Sequence, residues 1–137
     1  PKFFFFDTGV FRTLRPTGPL DSPSEVDGAA LETLVFQHLQ AELDAHAPNT
    51  QIFYWRTATG LEVDFVIYSE TVFTAIEVKR KRTITRRDLN GMRAFLSDYP
   101  QASGLLLYGG DHEQVIDGVR ILPLRSALPV LGWELGG

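Results

Sequence analysis

The apolar positions of the chain fall into alternating helical and strand-like groups. Between Ser24 or Asp27 and Ala45, the residues Val35, Phe36, Leu39 and Leu43 recur at helical spacing and share one stripe. Acidic or hydroxyl residues open that segment and Pro48 lies just beyond it, as expected at the two ends of a helix. Three short apolar runs follow: residues 52–55, the run around Val63, Phe65 and Ile67, and Ala75-Ile76-Glu77-Val78-Lys79. These read as strands. A second helix is predicted over residues 85–99, started by Thr85-x-x-Asp88, with Leu89, Met92, Phe95 and Leu96 as its apolar side. The unbroken run Leu105-Leu106-Leu107 predicts a strand covered on both faces. Asp117-Gly118, between Val115-Ile116 and Val119-Arg120-Ile121, marks a tight hairpin. At the ends, residues 2–6 read as a first strand, 12–24 as an irregular link and 124–131 as a short closing helix.

Charge interrupts two of these strands, in Gly60-Leu61-Glu62-Val63-Asp64-Phe65 and in Ile76-Glu77-Val78-Lys79. Charge within a strand core is expensive unless it is paired or holds a metal. Residues two apart share a face of a strand, so Glu77 and Lys79 project together, and Asp64 projects with Glu62, Val66 and Tyr68. Val63, Phe65 and Ile67 are expected to form the opposite, wholly apolar face. A hairpin loop of even length, such as Ser69 to Val72, sets Asp64 opposite Glu77, whereas an odd loop separates them unless a bulge intervenes.

Two neighbouring carboxylates with an ammonium suit metal-assisted hydrolysis of a phosphodiester. A hard divalent cation relieves their repulsion, polarises a phosphoryl oxygen and acidifies a bound water. Lys79 then balances charge developing on the phosphate or orients the water. The alternative is a plain salt bridge between Lys79 and a carboxylate. Glu32, in the middle of the apolar stripe of the first helix, is a third acid in need of a partner. Its alternative reading is an acid near the helix start, favoured by the dipole.

The order of these elements, a helix with Glu32, a strand, a strand with Asp64, a strand with Glu77-Val78-Lys79, a helix and a strand, resembles the core of the PD-(D/E)XK nuclease superfamily. The resemblance implies an α/β fold of restriction-endonuclease-like type, with a mixed central β-sheet flanked by helices. It makes Asp64 and Glu77 ligands of Mg²⁺ or Mn²⁺, Lys79 the catalytic lysine and Glu32 a supporting acid. Val63 stands where the superfamily has its usual proline. A resemblance over nearly the whole chain is carried by Phe4-Phe5-Phe6-Asp7-Thr8-Gly9, Phe53-Tyr54-Trp55-Arg56, Glu62-Val63-Asp64, Ala75-Ile76-Glu77-Val78-Lys79 and Ile121-Leu122-Pro123-Leu124. Together these are similar to the C-terminal domain of unknown function of bacterial and archaeal AAA-type ATPases. The chain has no G-x-x-x-x-G-K-[ST] loop and begins with Pro1. The expectation is therefore one domain over residues 1–137, with a strand and link in 1–24 and an αβββαβ core in 25–137, separated from an N-terminal ATPase module.

At 137 residues and 44% hydrophobic composition, the chain is large enough to bury a core of its own. It has no cysteine, which excludes disulfides, thiolate catalysis and cysteine-based zinc sites. No apolar run is long enough to span a bilayer, so a cytoplasmic location is the default expectation. A net charge of −4 argues against a nucleic-acid partner only until its distribution is considered. Lys79, Arg80, Lys81, Arg82, Arg86, Arg87 and Arg93 crowd together with Asp88 alone opposing them. Arg80, Lys81, Arg82, Arg86, Arg87 and Arg93 are thus candidates for tracking the phosphates of DNA or RNA. A solvated face or a docking surface for an acidic partner explains the cluster equally well. The corresponding alternative for the whole chain is a catalytically silent interaction module of the same fold.

Other chemistries find less support. His38, His46 and His112 have no metal-ligand spacing, Asp111-His112-Glu113 reads as a polar loop, and Gly109-Gly110 is too short for a dinucleotide fingerprint.

Overall fold

The computed structural model describes residues 23–127, with side chains from residue 31 onward. The strand expected at residues 2–6, most of the link expected at 12–24 and the last residues of the closing helix lie outside the described part. Helix α1 runs over Pro23–His46, followed by strands β1 (Gln51–Arg56), β2 (Glu62–Tyr68) and β3 (Phe73–Lys79). A 3-10 turn (Arg86–Leu89) leads into α2 (Asn90–Asp98), and then come β4 (Ser103–Tyr108), β5 (Gln114–Ile116), β6 (Val119–Pro123) and the short α3 (Leu124–Ala127). The strands form one six-stranded mixed sheet in the order β1-β2-β3-β4-β6-β5. Pairing is antiparallel from β1 through β3, parallel between β3, β4 and β6, and antiparallel at the β5–β6 edge.

Each face of the sheet is covered by a helix. Val35, Leu39 and Leu43 of α1 pack on Phe65, Ile67, Ile76, Val78, Leu105, Leu107 and Leu122. On the opposite face Leu89, Met92 and Phe95 pack on Trp55, Val66, Ala75, Leu106, Tyr108 and Ile121. The three consecutive leucines of β4 are divided between the two faces, which explains why none of them is polar. The result is an α/β fold with a mixed sheet between helices, the architecture expected from the sequence resemblance.

Local signals set the turns. The hairpin between β2 and β3 has a four-residue loop, Ser69 to Val72, closed by the Ser69 N–H to Val72 carbonyl bond at 2.8 Å. The Ser69 hydroxyl accepts the N–H groups of Thr71 and Val72. Asp117 and Gly118 both have positive φ, 51° and 80°, between the paired residues Ile116 and Val119, as a two-residue hairpin turn of the right twist requires. At the second helix, Asp88 accepts the Thr85 N–H at 2.9 Å. That segment starts as a 3-10 turn and becomes α-helical only at Asn90, so the single helix expected over 85–99 is in two parts.

One expectation about faces is corrected. Between Phe53 and Trp55 the register of β1 advances two residues while β2 advances three, from Val66 to Val63. This extra residue in β2 is a bulge that breaks the alternation. Val63 accordingly packs with the α2 side, while Phe65 and Ile67 pack with the α1 side. The three do not share a face.

Candidate functional site

The bulge includes Asp64, one of the acids expected at the site. Pairing of β2 with β3 extends from Tyr68↔Phe73 to Phe65↔Ile76, and one further step sets Asp64 against Glu77. There the backbone ladder stops, and the Asp64 Oδ2 accepts the Val78 N–H at 2.8 Å in place of a backbone carbonyl. An amide that the sheet would leave open is thus satisfied by a side chain. Asp64 is held at the strand end, beside Glu77.

These two carboxylates lie in an open cavity of about 270 Å³, lined by Glu32, Gly60, Leu61, Glu62, Asp64, Glu77, Val78, Lys79, Arg87, Asp88 and Gly91. All four candidate catalytic residues, Glu32, Asp64, Glu77 and Lys79, contribute to its wall. They arrive from α1, β2 and β3, where the first helix and the two charged strands meet. Of the candidate phosphate-binding residues only Arg87 lines it.

The electrostatics of the cavity are dominated by the desolvation of two carboxyls, Asp64 and Glu77. Glu77 is the one buried charged residue of the described core, 5% exposed, and its Oε2 is buried without a hydrogen bond. Burial, followed by the charge of Asp64, raises its pKa from 4.5 to about 8, against the opposing pull of Lys79. Burial also raises Asp64, from 3.8 to about 7, with Glu32 adding to the shift and the Val78 N–H and Lys79 opposing it. Near neutral pH the pair therefore holds protons that isolated carboxyl groups would have released. Among the described residues Lys79 forms no ion pair, so a simple salt bridge to one carboxylate does not account for it.

Two wall residues were not singled out by the sequence. Glu62 accepts a hydrogen bond from the Tyr54 hydroxyl at 2.7 Å, which tethers its carboxylate at the mouth. Gly91 lets α2 approach the sheet. A Cβ built there would collide with the Glu62 carbonyl and reach 3.0 Å from Glu77 Oε1. A glycine within an otherwise regular amphipathic helix was the available signal for that approach.

The basic cluster requires a second correction. Asp88 is not alone in opposing it. Lys81 Nζ lies 2.7 Å from Asp88, Arg82 Nη2 lies 2.9 Å from Asp111, and Arg86 Nε lies 2.8 Å from Asp117, with Arg93 Nε at 3.6 Å from the same carboxylate. Asp111 and Asp117 are distant in sequence and are brought in by the loop after β4 and by the β5–β6 turn. Arg80 is engaged as well.

Among the described residues no group of three or more histidine, aspartate or glutamate side chains is placed to hold a metal ion. No described helix is long and apolar enough to cross a membrane. Comparison with known proteins gives relationship without activity. An uncharacterized protein of Mycobacterium bovis and one of Mycobacterium tuberculosis are each 32% identical to the chain over 117 residues, covering 82% of it. The chain spans 24% of the length of these relatives. The profile of the Domain of unknown function (DUF4143) matches residues 27–127, from within α1 to the end of α3, and the chain belongs to that family.

Proposed function

We propose that the cavity is the active site of a divalent-metal-dependent phosphodiester hydrolase acting on DNA or RNA. In this reading the fold is a restriction-endonuclease-like core of the PD-(D/E)XK type, carried by an AAA-type ATPase. The observation that carries the proposal is Glu77: a buried carboxyl with an unpartnered oxygen, raised in pKa partly by a second carboxyl and open to a polar cavity. A residue kept only for stability would have a partner or be apolar.

The donor set fits Mg²⁺ or Mn²⁺. Asp64 and Glu77 are hard oxygen ligands whose mutual repulsion a cation relieves, and two carboxylates completed by water are a usual complement for Mg²⁺. When bound, such an ion would polarise the phosphoryl oxygen and acidify the attacking water. Glu32 would accept a hydrogen bond from water on the α1 side. Lys79 would orient that water and balance charge on the phosphoryl group as the water–phosphorus bond forms and the ester phosphorus–oxygen bond breaks.

A second reading, a catalytically silent module that docks a partner or DNA for the ATPase, draws on a specific observation. The basic cluster is largely neutralised by aspartates, which weakens the electrostatic case for a long nucleic-acid track. Cleavage assays separate the two. With Mg²⁺ or Mn²⁺ the wild-type chain, or its parent ATPase with ATP, should cut DNA or RNA, and Lys79→Ala should remove cutting without unfolding the domain. A parent protein inert toward DNA and RNA substrates in both ions would leave the docking reading.

A further inference from the structure

The cations around the cavity are not equivalent. Lys81, Arg82, Arg86 and Arg93 each lie within ion-pair distance of an aspartate of the same fold. Arg86 and Arg93 converge on Asp117 at the tip of the β5–β6 turn and so join the 3-10 turn and α2 to the far edge of the sheet. Lys81 meets Asp88, which also accepts the Thr85 N–H at the start of the 3-10 turn. Arg82 reaches across to Asp111 in the loop after β4. These pairs connect elements.

Lys79 and Arg87 differ on both counts. Each lines the cavity, and among the described residues neither forms an ion pair. Arg87 is exposed and lines the cavity together with Gly91, four residues on in the same segment. Carboxylates also surround the cluster as a whole. Lys79, Arg80, Lys81, Arg82, Arg86, Arg87 and Arg93 are matched in number by Asp88, Asp111 and Asp117 in the ion pairs and by Glu32, Glu62, Asp64 and Glu77 in the cavity. An arginine is suited to hold one phosphate through two parallel N–H bonds.

We propose that Arg87, together with Lys79, is the phosphate grip of this cavity, taking a single phosphodiester segment of a nucleic-acid strand, and that Lys81, Arg82, Arg86 and Arg93 are braces of the fold. The inference rests on the hydrolase reading and narrows it. The substrate is held locally at the cavity, not tracked along a basic face.

Counterion release counts the phosphates engaged, which makes the salt dependence of binding the test. The whole 137-residue chain is titrated into a short fluorescent DNA duplex at increasing KCl, with Ca²⁺ present as an oxygen-preferring divalent ion. Two contacts predict a log–log slope of about −2, whereas the entire cluster of seven predicts about −6. Arg87→Ala should weaken binding several-fold and reduce the slope by about one, and Arg87→Lys should restore the slope because the charge is retained. Arg86→Ala and Arg93→Ala should leave the slope unchanged. A steep wild-type slope that falls as much in Arg86→Ala or Arg93→Ala as in Arg87→Ala would overturn the assignment. So would an unchanged slope in Arg87→Ala, or no binding by the wild type at the lowest salt. A calorimetric Mg²⁺ titration of the same preparation tells whether the metal site failed with the grip or independently of it.

Discussion

Glu77 and Asp88 line the same cavity, yet their surroundings push them in opposite directions. Asp88 would be raised by its partial burial, but hydrogen bonds from Lys81 and from the Thr85 backbone and hydroxyl hold it down at about 2. Glu77, with burial unrelieved and Asp64 beside it, rises to about 8. The difference is one of partners: Asp88 closes a turn and an ion pair, whereas Glu77 closes nothing within the fold. The contrast extends to the regions around them. The face bearing Lys81, Arg82, Arg86 and Arg93 is internally compensated, while in the cavity the buried Oε2 of Glu77 has no hydrogen-bond partner among the described residues. The two carboxyls of this cavity differ by satisfaction, not by residue type.

The largest effect should come from filling the gap that lets α2 approach the floor. Gly91→Ala brings a Cβ into the Glu62 carbonyl and toward Glu77, and the resulting displacement should destabilise the domain by ~3 kcal/mol in urea melts. Alanine's better helix propensity works against this loss and is smaller, at ~1 kcal/mol. A neutral Gly91→Ala variant would mean that the floor is looser than the comparison requires.

Next in size is the pH dependence of the floor. The folded-state pKa values of Asp64 and Glu77 lie above their ordinary values of 3.8 and 4.5, so between roughly pH 4 and pH 8 the folded protein holds protons that the unfolded chain has released. Their contribution to stability is therefore fully present below pH 4 and is lost as pH rises through about 7 and about 8. Glu77→Gln should flatten this decline and leave the protein ~2 kcal/mol more stable than wild type at pH 9. Asp64→Asn should also remain folded, because the amide oxygen can still accept the Val78 N–H. Thermal melts across pH check both variants, and unfolding of either would assign the acids a structural role.

Asp88 sharpens the comparison from the other side. Its contribution is present above its ordinary 3.8 and is lost as pH falls through about 2. Asp88→Ala removes the acceptor at the start of the second helix and should destabilise by ~1 kcal/mol at neutral pH. The smallest change belongs to the exposed braces. Arg82→Ala, which breaks the pair with Asp111, should alter stability by less than ~0.5 kcal/mol, since both side chains are largely solvated.

Much of this arrangement was legible in the chain because it rests on short-range rules. The even loop from Ser69 to Val72 follows from turn chemistry and sets the register up to Phe65↔Ile76, one step short of Asp64 and Glu77. Asp117-Gly118 and the three leucines of β4 are equally local signals. Two features escaped for opposite reasons. The bulge in β2 adds one residue within an apolar run and leaves no compositional trace, so Val63 was expected on the face that only Phe65 and Ile67 share. The partners Asp111 and Asp117 lie 29 and 31 residues from Arg82 and Arg86, beyond any periodicity, and only the course of β4, β5 and β6 brings them back. Charge clustering in sequence therefore overstated the basic face.

The central claim, that the floor awaits a cation, is tested most directly by calorimetric titration of Mg²⁺ and Mn²⁺ into the wild type, Asp64→Asn and Glu77→Gln near pH 7, in buffers of different ionisation enthalpy. The account predicts binding by the wild type with release of about one proton, as cation binding displaces protons from the raised carboxyls. It predicts no such binding by either folded amide variant. Equal binding by all three proteins, or none by the wild type at millimolar ion, would contradict it.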